Sequence, residues 1–251
     1  MLDIIDHGPV RELKLARPPA NALNSELIAA LREQVSAAQS DDGPRALVLS
    51  GQPRMFSAGL DVAALLKLDR AALHKTWQDF FGVMYAIVTS RIPIAAAITG
   101  HSPAGGAVLA LFCDYRIMAR GDFKIGLNEV QVGLMLPSVI HKALAFAVGP
   151  RQAERLAVGG LLISPDEAYR IGLIDELTAV EDTVAHALTW AEALTTLPPE
   201  AQRRTRAIAR AGLISAFDDF DDQQVESFVE GWFSDETQTA MKALVARLSK
   251  K

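Results

Sequence analysis

One cysteine in 251 residues, Cys113, leaves no room for a disulfide within the chain or for a metal site of paired cysteines. No apolar run reaches the roughly 18 residues needed to cross a bilayer, so a membrane-spanning helix is not expected. There is no basic excess: 25 Lys and Arg stand against 30 Asp and Glu, a net charge of −5. That balance argues against a nucleic-acid surface, though not against binding a small anion locally. The sequence also lacks Cys/His ligand spacings, a Walker-type loop and a Gly-x-Gly-x-x-Gly string, so neither a metal nor a redox cofactor is expected. The opening MLDIIDHGPV has neither the basic start and apolar core of a secretion signal nor the Arg/Ser-rich character of a transit sequence. The ending Leu-Ser-Lys-Lys differs from the peroxisomal Ser-Lys-Leu, and a cytoplasmic protein is the expectation.

Apolar residues make up 50% of the chain and charged ones 22%, the composition of a well-cored globular protein. Cys113, inside an apolar run, reads as a small buried hydrophobe. The first half alternates strand-like and helix-like segments. Strands are predicted at Leu2–Ile5, Val10–Leu15, Arg45–Ser50, Ile92–Ile98, Tyr115–Met118 and Phe123–Gly126. Helices are predicted after Ser25, read as an N-cap, then over 61–68 and 71–87 and from Gly105. This rhythm implies an α/β body with a largely parallel sheet. From Ser138 helices dominate, interrupted only by strand-like Leu173–Leu177. Leu197-Pro198-Pro199 divides the chain into a body, residues 1–196, and a helical appendage, residues 197–251. No internal repeat is evident. The acidic cluster Asp218, Asp219, Asp221 and Asp222 reads as a solvated turn and first helical turn.

The stretch Gly100-His101-Ser102-Pro103-Ala104-Gly105-Gly106 joins a strand to a helix and admits two readings. Ser102 could be a nucleophile at a strand–turn–helix elbow, but Gly-x-Ser-x-Gly is broken by Ala104. The required later acid and still later histidine are also poorly met, since His186 lies in a helical segment. Pro103 fits the first turn of a helix. Alternatively, the turn exposes main-chain N–H groups to an oxyanion at a helix start. A second unit of the same kind, Phe56-Ser57-Ala58-Gly59-Leu60-Asp61, supports that reading. A third segment, Ile125–Gly133, places Glu129 among Leu127, Val130, Val132 and Leu134. Such surroundings desolvate a carboxylate and strengthen it as a base. A helix-start glutamate facing solvent is the alternative.

Together the strings PPANALN, FSAGLD, ITGHSPAGG with CDYRIMA, IGLNEVQVG and FVEGWFSDETQTAM resemble the crotonase superfamily of acyl-CoA enzymes. Within it they are most similar to the mitochondrial-type Δ3,Δ2-enoyl-CoA isomerases. The resemblance implies a crotonase-like spiral of ββα units with a C-terminal helical trimerisation layer, assembled as a homotrimer or a dimer of trimers. It implies an acyl-CoA substrate, with coenzyme A part of the substrate rather than a cofactor. Carried over by position, Leu60 and Gly105 give the oxyanion-hole N–H groups, and Glu129 is the catalytic glutamate. The resemblance also puts Ala20, Asn21 and Ala22, Phe56, Ser57, Ala58 and Gly59, and Ala104 and Gly106 along the substrate.

Hydratases of the superfamily carry a second glutamate three residues after the oxyanion-hole glycine; here that position is Val108. One carboxylate suffices for a 1,3-proton shift, so isomerisation is expected over hydration. A thioesterase, another enolate chemistry and a non-catalytic acyl-CoA-binding scaffold remain as alternatives. Arg54 could approach the CoA phosphates or be a plain surface arginine. Trp77, Phe80 and Phe81 could border an acyl pocket or fill the core, and Trp232 could serve the pocket or a subunit interface.

Overall fold

The computed structural model describes residues 1–218 and 220–248. Asp219 of the acidic cluster and the last three residues of the Leu-Ser-Lys-Lys ending lie outside the described residues. Strands β1 (Leu2–His7) and β2 (Val10–Leu15) form an antiparallel hairpin, and β2 begins a run of parallel pairings. Strands β3 (Ala46–Ser50), β5 (Ile94–Ile98), β7 (Tyr115–Ala119) and β9 (Glu176–Thr178) complete a main sheet of order β1-β2-β3-β5-β7-β9.

Alternation along the strands sorts the core onto two faces. Ala46, Val48, Ala95 and Ala97 meet Ala187 and Ala191 of α8 (Thr183–Thr195), small residues that let the helix lie close to the sheet. Leu47, Leu49, Ala96 and Ile98 point the other way. There they join a larger core with α1 (Ser25–Ala37) and α3 (Arg70–Val88). The cap of α1 is Asn24, whose side chain accepts from Leu27 N–H; Ser25, expected in that role, instead pairs its hydroxyl with Thr76.

A second, small sheet of order β4-β6-β8 was legible in the sequence only at its third strand, expected over Phe123–Gly126. It consists of β4 (Arg54–Met55), β6 (Gly100–Pro103) and β8 (Ile125–Gly126), all parallel. The segment Gly100–Pro103 is therefore a strand and not a turn, and Pro103 ends a strand and does not open a helix. At Gly100 a Cβ would lie 1.9 Å from the Arg54 carbonyl carbon, so only glycine lets the chain cross there.

The two sheets reveal a geometric repeat. Each main-sheet strand β3, β5 and β7 is followed by a small-sheet strand and then a helical element. These are α2 (Val62–Leu65) with α3, α4 (Gly105–Leu111), and a 3-10 turn (Glu129–Val132) with α5 (Ser138–Val148). Helices α6 (Pro150–Gly159) and α7 (Pro165–Arg170) lead to β9 and α8, and α9 (Pro199–Ala209), α10 (Ala211–Ile214), α11 (Asp222–Trp232) and α12 (Asp235–Leu248) close the chain. Residues beyond 197 share the larger core: Leu213, Val225, Phe228, Trp232 and Met241 are all buried in it.

Candidate active site

Leu60, Gly105 and Glu129 each lie between the small-sheet strand of a ββα unit and the helical element that follows, Leu60 two residues before α2 and the other two at the first position of theirs. Leu23 and Leu60 form a parallel bridge in which Leu23 N–H donates to Gly59 C=O and Asp61 N–H to Leu23 C=O. That pattern uses the neighbours of Leu60 and leaves its own N–H free of the ladder. Asp61 then caps α2 by accepting from Ala64 N–H.

Gly105 is released by a different device. Ser102 and Ala104 N–H donate to Lys124 and Gly126 C=O along the β6–β8 pairing. At Ala104 the chain turns into α4 with φ 47° and ψ −123°, a conformation that favours glycine. Holding alanine there costs about 1–3 kcal/mol, the kind of strain that persists where surrounding structure fixes a functional group. Gly105 N–H then sits at the first position of α4, where no intrahelical acceptor exists. Among the hydrogen bonds of the described residues, the N–H groups of Leu60 and Gly105 donate to no protein acceptor.

The two donors adjoin. A Cβ on Gly105 would lie 3.4 Å from Leu60 N, and one on Gly59 (φ +85°) would lie 3.1 Å from Gly105 N. A side chain at Gly59 would wedge the two turns apart. Two adjacent unpaired amides can receive one anionic oxygen.

Asn21, Phe56 and Ser57, expected along the substrate, have no exposed side chain. Asn21 Nδ2 donates to Phe56 C=O at 3.0 Å, its Oδ1 accepts from Arg17 N–H, and its C=O accepts from Ser57 Oγ. Ala58 N–H donates to Ala20 C=O, so the 20–22 loop is stitched to the turn that precedes Leu60. The Phe56 ring is fully buried in the core. Gly106 is closed in by Ser57 C=O, 2.7 Å from where its Cβ would be. Ala20, Ala22, Ala58 and Ala104 remain partly accessible. Sequence reasoning missed Arg17, whose guanidinium reaches Asp61 Oδ2 at 2.6 Å and Ala22 C=O at 2.9 Å, tying the loop to the residue after Leu60.

Glu129 opens the 3-10 turn. The residue as a whole is half-buried, but Oε2 is shielded from solvent and has no hydrogen-bond partner. Burial pushes its carboxyl up to about 7, while its own main-chain N–H pulls part of the way back. Asn128 Oδ1 beside it is also buried and unpartnered. Ser102 is fully buried with its Oγ unpartnered, and no histidine bonds to it; His101 accepts from Lys124 N–H and packs edge-on to Phe123. The nucleophile reading therefore loses its base. Cys113 is buried and its thiol is pushed up to about 12 by desolvation.

Val108 is 1% exposed on α4, whose seven residues are all apolar or glycine. Trp77, Phe80 and Phe81 pack with Phe228 and Trp232 in an aromatic cluster between α3 and α11. At 1% exposure Trp232 belongs to the core of its own chain and not to a surface available to a neighbour. Arg54 is exposed, its guanidinium 5.2 Å from the Phe123 ring centroid. No helix among the described residues is long and apolar enough to cross a membrane.

Over residues 6–249 the chain matches the family described as enoyl-CoA hydratase/isomerase. It is 31% identical over 244 residues to mitochondrial enoyl-CoA delta isomerase 1 of Homo sapiens, covering 96% of this chain and 81% of that protein. It is 32% identical over 209 residues to a probable enoyl-CoA hydratase, EchA17, of Mycobacterium tuberculosis, covering 82% of this chain and 77% of that one. It superposes on the crystal structure of human mitochondrial delta3-delta2-enoyl-CoA isomerase with a TM-score of 0.93 at 30% identity, covering 99% of this chain and 98% of the other. The chain has the crotonase fold and belongs to the enoyl-CoA hydratase/isomerase family.

Proposed function

We propose that this acyl-CoA enzyme is a double-bond isomerase that converts 3-enoyl-CoA to 2-trans-enoyl-CoA, as in fatty-acid β-oxidation. The thioester oxygen is received by Leu60 and Gly105 N–H. Glu129, ionised, removes a proton from C2, and the electron pair moves into the thioester as an enolate. The two amides stabilise the developing charge, each contributing roughly 3–4 kcal/mol. Glu129 then returns its proton to C4, leaving the double bond between C2 and C3. Atoms and charge balance without any other reagent, and coenzyme A enters and leaves as part of the substrate.

The observations that carry this reading are one desolvated carboxylate, Glu129, and a helix α4, starting at Gly105, that holds no acid or base. Hydration needs proton transfer at both the attacking water and the α-carbon, and α4 offers buried Val108 where the second group would stand. The proposal includes a homotrimer or dimer of trimers and a cytoplasmic setting; the human relative, by contrast, is mitochondrial by name.

The test offers the protein 3-enoyl-CoA and 2-enoyl-CoA of several chain lengths. Conjugation of the first, read by ultraviolet absorbance, with little hydration of the second is expected. Rapid hydration would assign the chain to the hydratases, and release of free thiol to a thioesterase.

A further inference from the structure

The 3-10 turn that carries Glu129 is held by residues distant in sequence. On one side Gln131 Nε2 donates to Gly160 C=O at 2.8 Å. On the other lies α12, which packs against both this turn and α2, the helix that follows Leu60. Its point of contact is Thr237, 2% exposed. The Thr237 main-chain N–H is held by Ser234 Oγ at the helix start, and its Oγ1 donates to Gly133 C=O at 2.5 Å. Gly133 has φ +72°, and a Cβ there would lie 3.1 Å from Thr237 Cα, so turn and helix touch backbone to backbone.

The carbonyl that Thr237 holds belongs to the same peptide unit as Leu134 N–H. That N–H donates to the C=O of Glu129 itself at 3.0 Å. One peptide group therefore links the Thr237 hydroxyl to the main chain of Glu129, and bonds in such a chain polarise and strengthen one another. The Glu129 N–H that bears on its own carboxyl lies on the other side of the same Cα. Burial is what raises this carboxyl, so its seclusion from water is what conformation controls.

We propose that Thr237 is a positioning residue for Glu129: through the Gly133–Leu134 peptide it sets the orientation of the carboxylate and keeps it dry. The inference rests on Glu129 being the base. C-terminal helix α12 is in this view part of the catalytic apparatus of its own chain.

The test compares Thr237→Val, which keeps the volume and removes the hydroxyl, with Thr237→Ser, which keeps the hydroxyl. Thr237→Val should lower kcat about tenfold, the equivalent of one lost hydrogen bond, with KM nearly unchanged. The acid limb of its kcat–pH profile should move down by about one unit as water reaches the carboxyl. Thr237→Ser should restore both. A merely structural role would lower the melting temperature and leave the limb in place, and that result overturns the proposal.

A readout independent of turnover separates this from the isomerase reading. The gap in urea midpoint between Glu129 and Glu129→Gln proteins at pH 8 should shrink in the Thr237→Val background. An unchanged gap overturns the positioning role whatever the reaction. A shrunken gap in a protein inactive on 3-enoyl-CoA supports the positioning role and overturns only the reaction.

Discussion

At the scale of the residue, Glu129 is held in a form that costs stability in exchange for basicity. Its carboxyl ionises at about 7 in the folded protein against 4.5 in an exposed chain. Between those values the unfolded chain gives up the proton while the native state keeps it. The native state therefore loses stability as pH rises from 4.5 towards 7, levelling off above. The full penalty is about 3 kcal/mol, at roughly 1.4 kcal/mol per unit. Glu129→Gln is expected to unfold at higher urea than the parent at pH 8, by up to ~3 kcal/mol, and with the parent near pH 4. The same variant should lose roughly 10²–10⁴-fold in turnover while still binding acyl-CoA. A variant no more stable at pH 8 would mean that the carboxyl is not desolvated. Glu129 was legible in the sequence because its apolar neighbours lie within a few positions. Arg17 and Thr237 were not, because their partners lie 44 and 104 positions away.

At the scale of the element, most helices and the longer strands follow from apolar spacing, with ends displaced by a few residues. Of the small sheet only β8 follows, inside the strand-like Phe123–Gly126. The other two strands are two and four residues long and one is Gly-His-Ser-Pro, too short for a period of two and too rich in turn residues to read as extended. They are visible only through their pairings, and these decide which amides are free. Helix α9 and Arg210, the residue that follows it, have a comparable hidden role. Arg206 donates to the carbonyls of Ile87, Val88 and Ser90 at the end of α3, and Arg210 to those of Phe112 and Cys113 at the end of α4. Both guanidiniums also reach Asp114, which accepts from Ile94 N–H at the start of β5. Asp114 thus lies between two nearly buried arginines, a joint between the C-terminal end of α9, the sheet and the far end of α4. Asp114→Ala should destabilise by ~3–5 kcal/mol in urea unfolding, because it leaves buried positive charge uncompensated. A loss under ~1 kcal/mol, the range of an exposed ion pair, would contradict this joint.

At the scale of the whole molecule, three successive ββα units each present one candidate group between the small-sheet strand and the helical element that follows. The units supply the N–H of Leu60, the N–H of Gly105 and the carboxylate of Glu129. No repeat shows in the sequence because the three positions are under different demands. One needs small residues for close approach, one a strained alanine before a helix, and one apolar cover for a carboxylate. The C-terminal helices are bound into the same core and reach back to the third unit through α12.

Isotope transfer tests most directly whether a single carboxylate carries the proton from one carbon to another. The substrate is 3-enoyl-CoA deuterated at C2 in ordinary water, and the product is read by mass spectrometry and NMR. The expected product is 2-enoyl-CoA with deuterium at C4 well above the solvent level, because Glu129 Oε2 is shielded from water. A product whose new C4 hydrogen comes wholly from solvent, or a hydrated product, would contradict that transfer.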